Sequence, residues 1–424
     1  MDSSGAHATD TIILAAGATE YTDALVSFAW IMAAALLAPL VAYLFNNRIP
    51  AVALLLVFGM VIGPSVLDLA AEEEGIGMLK ELGVGALFLL AGFEINLQSL
   101  RSKQAKIGLS TWLVCAVACG IGAYFLVDTF PGAIVVALAL TSTALGTLTP
   151  MLKQDNVTDT KVGNSVLIHG AIGELAPITA MALLLGTHDT WTTFLVMVAF
   201  IGVAVLVAIA PAAIIHAIPG VGRAFVSGAG STNQTILRFI ILILATLMAV
   251  TAVFELDIVL GAFAAGIILN RIIPDEFHKP LEHRLDVVFY SMLIPVFFVV
   301  SGMAINWQTI ADNPGKVLGI PALILVTRGL PVYLREVFTD TGSGIIKPRE
   351  QLQVGLYSAT GLPIIVAVTG LAVDSQLMQQ QTASIFVAGG ALTVAVFPFL
   401  ASIIGGKKPC EVDTVEKSSP TPQA

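Results

Sequence analysis

Charge is what this chain has least of. Asp, Glu, Lys and Arg make up 12% of its 424 residues, about half the share of a soluble domain, which excludes an ordinary water-facing globule. Cysteine is scarce too. Cys115 and Cys119 fall in one apolar stretch and Cys410 in a polar tail, so there is neither a disulfide framework nor a metal-ligand spacing. The first twenty residues contain no Lys or Arg, so the basic n-region of a cleaved signal is missing. The sequence has no phosphate-binding glycine loop, no aspartate-rich diphosphate motif and no His-Glu-x-x-His spacing. ATP-driven transport and zinc chemistry lack their parts without these. Nothing calls for a cofactor, and no basic block points to nucleic acid.

What is abundant is apolar length. Hydrophobic residues make up 56% of the chain and the mean hydropathy is +0.90. The apolar runs are helix-sized and unbroken rather than short and alternating, so the fold reads as an all-α polytopic membrane protein and not a barrel. The pattern predicts about 13 transmembrane helices, at 22–45, 50–68, 77–96, 106–127, 131–152, 161–186, 190–217, 235–254, 257–272, 283–305, 316–336, 350–373 and 378–405. A tail over 1–21 precedes them, and 406–424 reads as a disordered tail. With the N-terminus outside, 17 of the 20 Lys and Arg fall on inward loops and the inward tail, Lys80 and Lys316 face outward, and Arg328 is embedded. The positive-inside rule therefore predicts an extracytoplasmic N-terminus and a cytoplasmic C-terminus in the cell membrane.

The chain repeats weakly at an offset of seven spans. Ala91 to Gln98 at the end of span three resembles Ser301 to Gln308 at the end of span ten. Thr141 to Gly146 in span five is matched by Ser358 to Pro363 in span twelve. An odd offset inverts the copies, so spans one to six and eight to thirteen read as two inverted six-helix repeats joined by span seven. Inverted repeats with interrupted helices are the architecture of secondary transporters. Spans five and twelve are the predicted pair of crossing broken helices. Thr141, Ser142 and Thr143 can satisfy freed backbone groups or coordinate an ion, and Gly361 and Pro363 interrupt their own helix.

The chemistry centres on Glu174, which lies in the apolar stretch Val162 to Gly186 with no counter-charge in the same segment. A carboxylate near mid-membrane costs roughly 2.5–3.5 kcal/mol on insertion scales. Small residues and Pro177 around it allow close helix approach and free a backbone carbonyl. That combination suits a proton or monovalent-cation site, with Glu174 as the metal-binding carboxylate. Arg328 is the one basic residue well inside a span, open to pairing with a carboxylate, to stabilising half-helix ends or to snorkelling. Glu94, at the inner end of span three, suits a gate, an ion pair or a solvated end. His169 stands five positions before Glu174, which is not the same helix face, and reads as a packed neutral histidine.

These residues resemble the monovalent cation:proton antiporter superfamily, in its branch of bacterial sodium/proton and potassium/proton exchangers. The likeness runs through Gly59 to Leu67, the Thr-Ser-Thr-Ala of span five, Pro295 to Gly302 and Gly361 to Gly370. It implies that Glu174 is the ion carboxylate, preceded by Gly173 where the family usually has Asn, Gln or Asp, and that Arg328 is the recurrent basic residue. It also implies a homodimer serving pH homeostasis, with scaffold helices at 22–96 and 235–305, core helices at 106–186 and 316–405, and a linker at 190–217. The function read from residues and resemblance together is exchange of Na+ or K+ for H+ by competition at Glu174, electroneutral and not enzymatic. A lone carboxylate among hydroxyls and carbonyls suits Na+, K+ and Li+ alike. A sodium-coupled symporter of an organic anion is the alternative; it needs more basic contacts in the cavity than Arg328 provides.

Overall fold

The computed structural model describes residues 4–45, 50–95, 101–125, 127, 130–184, 195–196, 198–206, 234–254, 256–273 and 275–405. Among these the regular elements are helices. In chain order they begin with α1 (Ser4–Leu44), α2 (Ala51–Ile62), α3 (Glu74–Glu94) and α4 (Lys103–Tyr124). Span five is two helices, α5 (Phe130–Leu140) and α6 (Leu145–Gln154), and span six is α7 (Lys161–Leu184). The second half holds α8 (Thr235–Val253), α9 (Ile258–Ile272), α10 (Asp275–Val288), α11 (Ile294–Met303) and the short α12 (Trp307–Asp312). It continues with α13 (Pro314–Ile324), α14 (Leu330–Phe338), α15 (Pro348–Ser358), α16 (Pro363–Asp374) and α17 (Gln380–Gly405).

Every predicted span except the seventh has its helix here. Span seven lies largely outside the described residues, and the tail at 406–424 lies wholly outside them. One boundary differs: α1 begins at Ser4, and only its second part, Thr22–Leu44, has the apolarity of a membrane span. The predicted tail over 1–21 is rich in alanine, which favours helix without raising hydropathy enough to mark a span.

Local chemistry sets several ends. Ser102 caps α4 by accepting from Ala105 N at 3.1 Å, Asp257 caps α9 through Val259 N at 2.8 Å, and Asn306 caps α12 through Thr309 N at 3.0 Å. Two spans stay continuous across a proline by widening into a π turn. Phe289–Leu293 precedes Pro295, and Leu325–Gly329 precedes Pro331. The wider turn makes room for a ring that would otherwise strike the carbonyl four residues back.

The helices pack in two groups. Helices α1, α2 and α3 lie against α8, α9 and α11, while α4, α5 and α7 lie against α13 to α17. In the first group Gly92 of α3 and Gly266 of α9 bring the two backbones together, each lacking the Cβ that would strike the other helix. In the second group the two interrupted spans meet. Residues 141–144 separate α5 from α6, and 359–362 separate α15 from α16.

Candidate site at the crossing of the broken helices

Glu174 lies midway along α7 and its side chain is buried. The helix continues through Pro177. Glu174 Oε1 accepts a hydrogen bond of 2.6 Å from the backbone N–H of Leu145, the first residue of α6. Helix N-termini leave free N–H groups and a positive dipole end, so the interruption of span five is what makes a binding place for this carboxylate. Glu174 Oε2 is buried with no hydrogen-bond partner among the described residues. One oxygen is fixed at the helix N-terminus, and the other is left open.

The unwound segments knit the crossing together. Thr143 N donates to Gly173 O at 3.1 Å and Ala144 N to Thr360 O at 2.7 Å. Thr143 Oγ1 donates to Ser358 O at 2.6 Å. The three predicted hydroxyls therefore divide. Thr141 Oγ1 and Ser142 Oγ turn back onto Leu138 O and Ala139 O, at 2.9 and 2.6 Å, and satisfy carbonyls freed at the end of α5. Only Thr143 bridges the elements. Gly361 lies against Ser142, where a Cβ would come within 2.7 Å of the Ser142 carbonyl oxygen and 2.8 Å of its Oγ. The Ser358 hydroxyl, in the same crossing, is buried and has no hydrogen-bond partner among the described residues.

Arg328 occupies the π turn and is fully buried, so it does not snorkel. Its Nη2 donates to Thr143 Oγ1 at 3.0 Å and to the His169 carbonyl at 3.2 Å. Its Nε and Nη1 have no hydrogen-bond partner, and no carboxylate pairs with it, among the described residues. Through Thr143 the guanidinium reaches the C-terminal ends of α5 and α15, where helix dipoles are negative. Gly173 explains how it fits. A Cβ there would stand 2.6 Å from Thr143 Oγ1 and 2.7 Å from Arg328 Nη2. The space that a ligating side chain at 173 would need is filled by the arginine.

Glu94 ends α3 and accepts from Thr149 Oγ1 of α6 at 2.9 Å, so it contacts the half-helix that caps Glu174. Nearby, Tyr290 Oη donates to Gly146 O at 3.0 Å, and Lys153 pairs with Glu282 at 2.6 Å. His169 is not simply packed: its Nε2 faces Glu336 Oε1 at 3.8 Å, with both side chains buried. Ser358 was marked in the sequence by the repeat that matches Thr141 to Gly146, but Tyr290 and Glu336 carried no signal of their own, because each acquires its role from a residue far along the chain.

Comparison with known proteins agrees with this geometry. The family described as sodium/hydrogen exchanger, transmembrane, matches residues 32–405. YjbQ of Bacillus subtilis is 26% identical over 379 residues, covering 80% of this chain and 60% of that protein; the chain thus spans about 60% of this relative's length. The Na(+)/H(+)-K(+) antiporter GerN of Bacillus cereus is 23% identical over 361 residues, 83% of this chain and 89% of GerN. In fold, the sodium proton antiporter MjNhaP1 of Methanocaldococcus jannaschii superposes with a TM-score of 0.63 at 16% identity, over 90% of this chain and 96% of that one. A match running from α1 to the end of α17, over helices crossed in this way, makes the chain a member of the sodium/hydrogen exchanger family.

Proposed function

We propose that the protein exchanges a monovalent cation, Na+ or K+, for H+ across the cell membrane, with both substrates competing for Glu174. The observation that carries this reading is the divided carboxyl group: Oε1 is held at the N-terminus of α6, and Oε2 is buried without a partner. A bare carboxylate in the barrier is costly, whereas a protonated or cation-loaded one is not. Crossing in only the two neutral states is sufficient for exchange. The relative GerN is named for the same chemistry. The symporter alternative finds no support, since Arg328 is enclosed and engaged by Thr143 and His169.

In this reading Thr143 and Arg328 hold the crossing beside the ion carboxylate, and Gly173 leaves room for them. Helices α1 to α3 and α8 to α11 serve as scaffold in a homodimer, α4 to α7 and α13 to α17 as the moving core, with the N-terminus outside. Arginine does not titrate in proteins, and Gly173 offers no second acid. One carboxyl then exchanges one proton for one cation. Glu174→Gln keeps an oxygen to accept from Leu145 N and removes the exchangeable charge. Reconstituted in proteoliposomes, this variant is expected to fold like wild type and to lose cation-dependent proton flux. Wild-type flux in a folded variant moves the site elsewhere.

A further inference from the structure

A second buried polar cluster adjoins Arg328, and exchange at Glu174 makes no use of it. Its centre is Glu336, on α14. Oε2 accepts from Thr341 Oγ1 at 2.8 Å and from Ser343 Oγ at 2.7 Å. Oε1 accepts from Ser165 Oγ at 3.2 Å, and Gln104 Nε2 donates to that serine at 2.8 Å. The remaining approach to Oε1 is taken by His169 Nε2, at 3.8 Å. That distance is within reach of an ion pair and beyond a hydrogen bond. His169 Nδ1 is buried with no hydrogen-bond partner among the described residues. Thr341 and Ser343 belong to the 339–347 loop, whose residues Asp340, Gly342 and Gly344 are exposed. The cluster therefore runs from a solvent-facing loop to a histidine whose carbonyl holds Arg328.

From this geometry we infer that His169 and Glu336 are positioning residues for Arg328, and that protonation of His169 from the loop side slows turnover. The inference rests on the antiporter reading. An imidazolium at 169 closes onto Glu336 and places a second positive charge beside Arg328, which has no carboxylate of its own among the described residues. Arg328 is then pushed against its hold on Thr143, the residue that ties the two interruptions together. The charges acting on the ring are Glu336 and Arg328. The neighbouring elements are otherwise occupied. On α4, Gln104 is uncharged, a Cβ at Gly108 would stand 3.7 Å from the ring, and Lys103 pairs with Asp340. Lys161 of α7 donates to Gly344 O, and Arg335 of α14 to Ser110 Oγ. Lys153 of α6 is paired with Glu282, and Tyr357 of α15 donates to Asp155. On α9, Asp257 caps its own helix and Arg271 is exposed.

Competition at Glu174 also slows exchange in acid, but it acts on the apparent KM for the cation and vanishes at saturation. A change in how Arg328 is held acts on kcat. Initial rates in proteoliposomes, with cation taken to saturation from about pH 5 to about pH 8.5, separate the two, because that range covers the ordinary histidine window and its acid side. Wild-type kcat is expected to fall about fivefold toward the acid end. His169→Gln keeps an amide facing Glu336 and is expected to hold kcat level while KM still rises with proton concentration. Glu336→Gln, which takes away the partner that rewards the imidazolium, is expected to move the fall in kcat to lower pH. A wild-type kcat that is flat with pH overturns the inference, as do folded variants that both keep the wild-type kcat profile. Loss of monodisperse protein in both variants makes the pair purely structural and overturns it as well. Absence of cation-dependent proton flux in the wild type is a different failure, that of the antiporter reading itself.

Discussion

At Gly173 an absent side chain is as informative as a present one. The family resemblance puts a polar residue before the ion carboxylate, and here that position is taken by the Arg328 guanidinium and the Thr143 hydroxyl. Gly173→Ala sets a methyl carbon within 2.6 Å of Thr143 Oγ1 and 2.7 Å of Arg328 Nη2. Overpacking of this kind costs about 1–3 kcal/mol. The variant is expected to unfold at lower temperature in detergent and to exchange more slowly, and unchanged melting and flux together mean that Arg328 is not confined as described. The same arginine bears on stoichiometry. If, as proposed, Glu174 is the one exchangeable charge at the crossing among the described residues, an imposed membrane potential is expected to leave the exchange rate in proteoliposomes nearly unchanged. A steep dependence on potential requires a second titrating group.

The half-helices are the elements on which the site depends, and their interruptions could be read from sequence for a physical reason. Thr141 to Thr143 supply hydroxyls that replace lost backbone bonds, and Pro363 supplies no N–H at all. Such residues mark a break wherever they fall in an apolar run. The π turns before Pro295 and Pro331 were not legible, because a proline in a span fits a kink equally well and only packing selects the widened turn. Glu174 stood out as a lone acid, yet the oxygen that binds Leu145 N and the oxygen left open cannot be told apart without the crossing. The pairing of His169 with Glu336 bridges 167 positions and has no periodicity to betray it. Two glycines of α16 and its approach separate a site effect from a helix effect. Gly361→Ala drives a Cβ within 2.7 Å of Ser142 O, whereas Gly370→Ala meets nothing within 4 Å. The first is expected to lower flux severely. The second keeps flux and gains up to about 1 kcal/mol from helix propensity. Equal outcomes in flux assays mean that the two broken helices do not depend on touching.

For the whole molecule, the question is what must move. Among the described residues the two helix groups share few polar links: Gln380 and Ser384 of α17 donate to Ala304 O at the end of α11, and three others gather on α6. Thr149 donates to Glu94 of α3, Gly146 O receives Tyr290 from the π turn before α11, and Lys153 pairs with Glu282 of α10. All three join the half-helix that caps Glu174 to the opposite group. If that group is a scaffold and the α6 side carries the carboxylate across the membrane, these links break in every cycle. Surface ion pairs such as Lys153–Glu282 are worth about 0–1 kcal/mol, weak enough to open at each turnover. Tyr290→Phe removes one link without charge and is expected to alter the rate about twofold to tenfold while leaving the fold intact, in line with a loss of about 0.5–1.5 kcal/mol. A covalent link is the stricter test. Cysteines placed at 153 and 282 and joined by a cleavable bis-maleimide are expected to stop exchange in folded protein, and cleavage of the linker to restore it. Full flux through the linked molecule means that Glu174 reaches both faces without the two groups sliding past one another, and that the barrier moves around a stationary site instead.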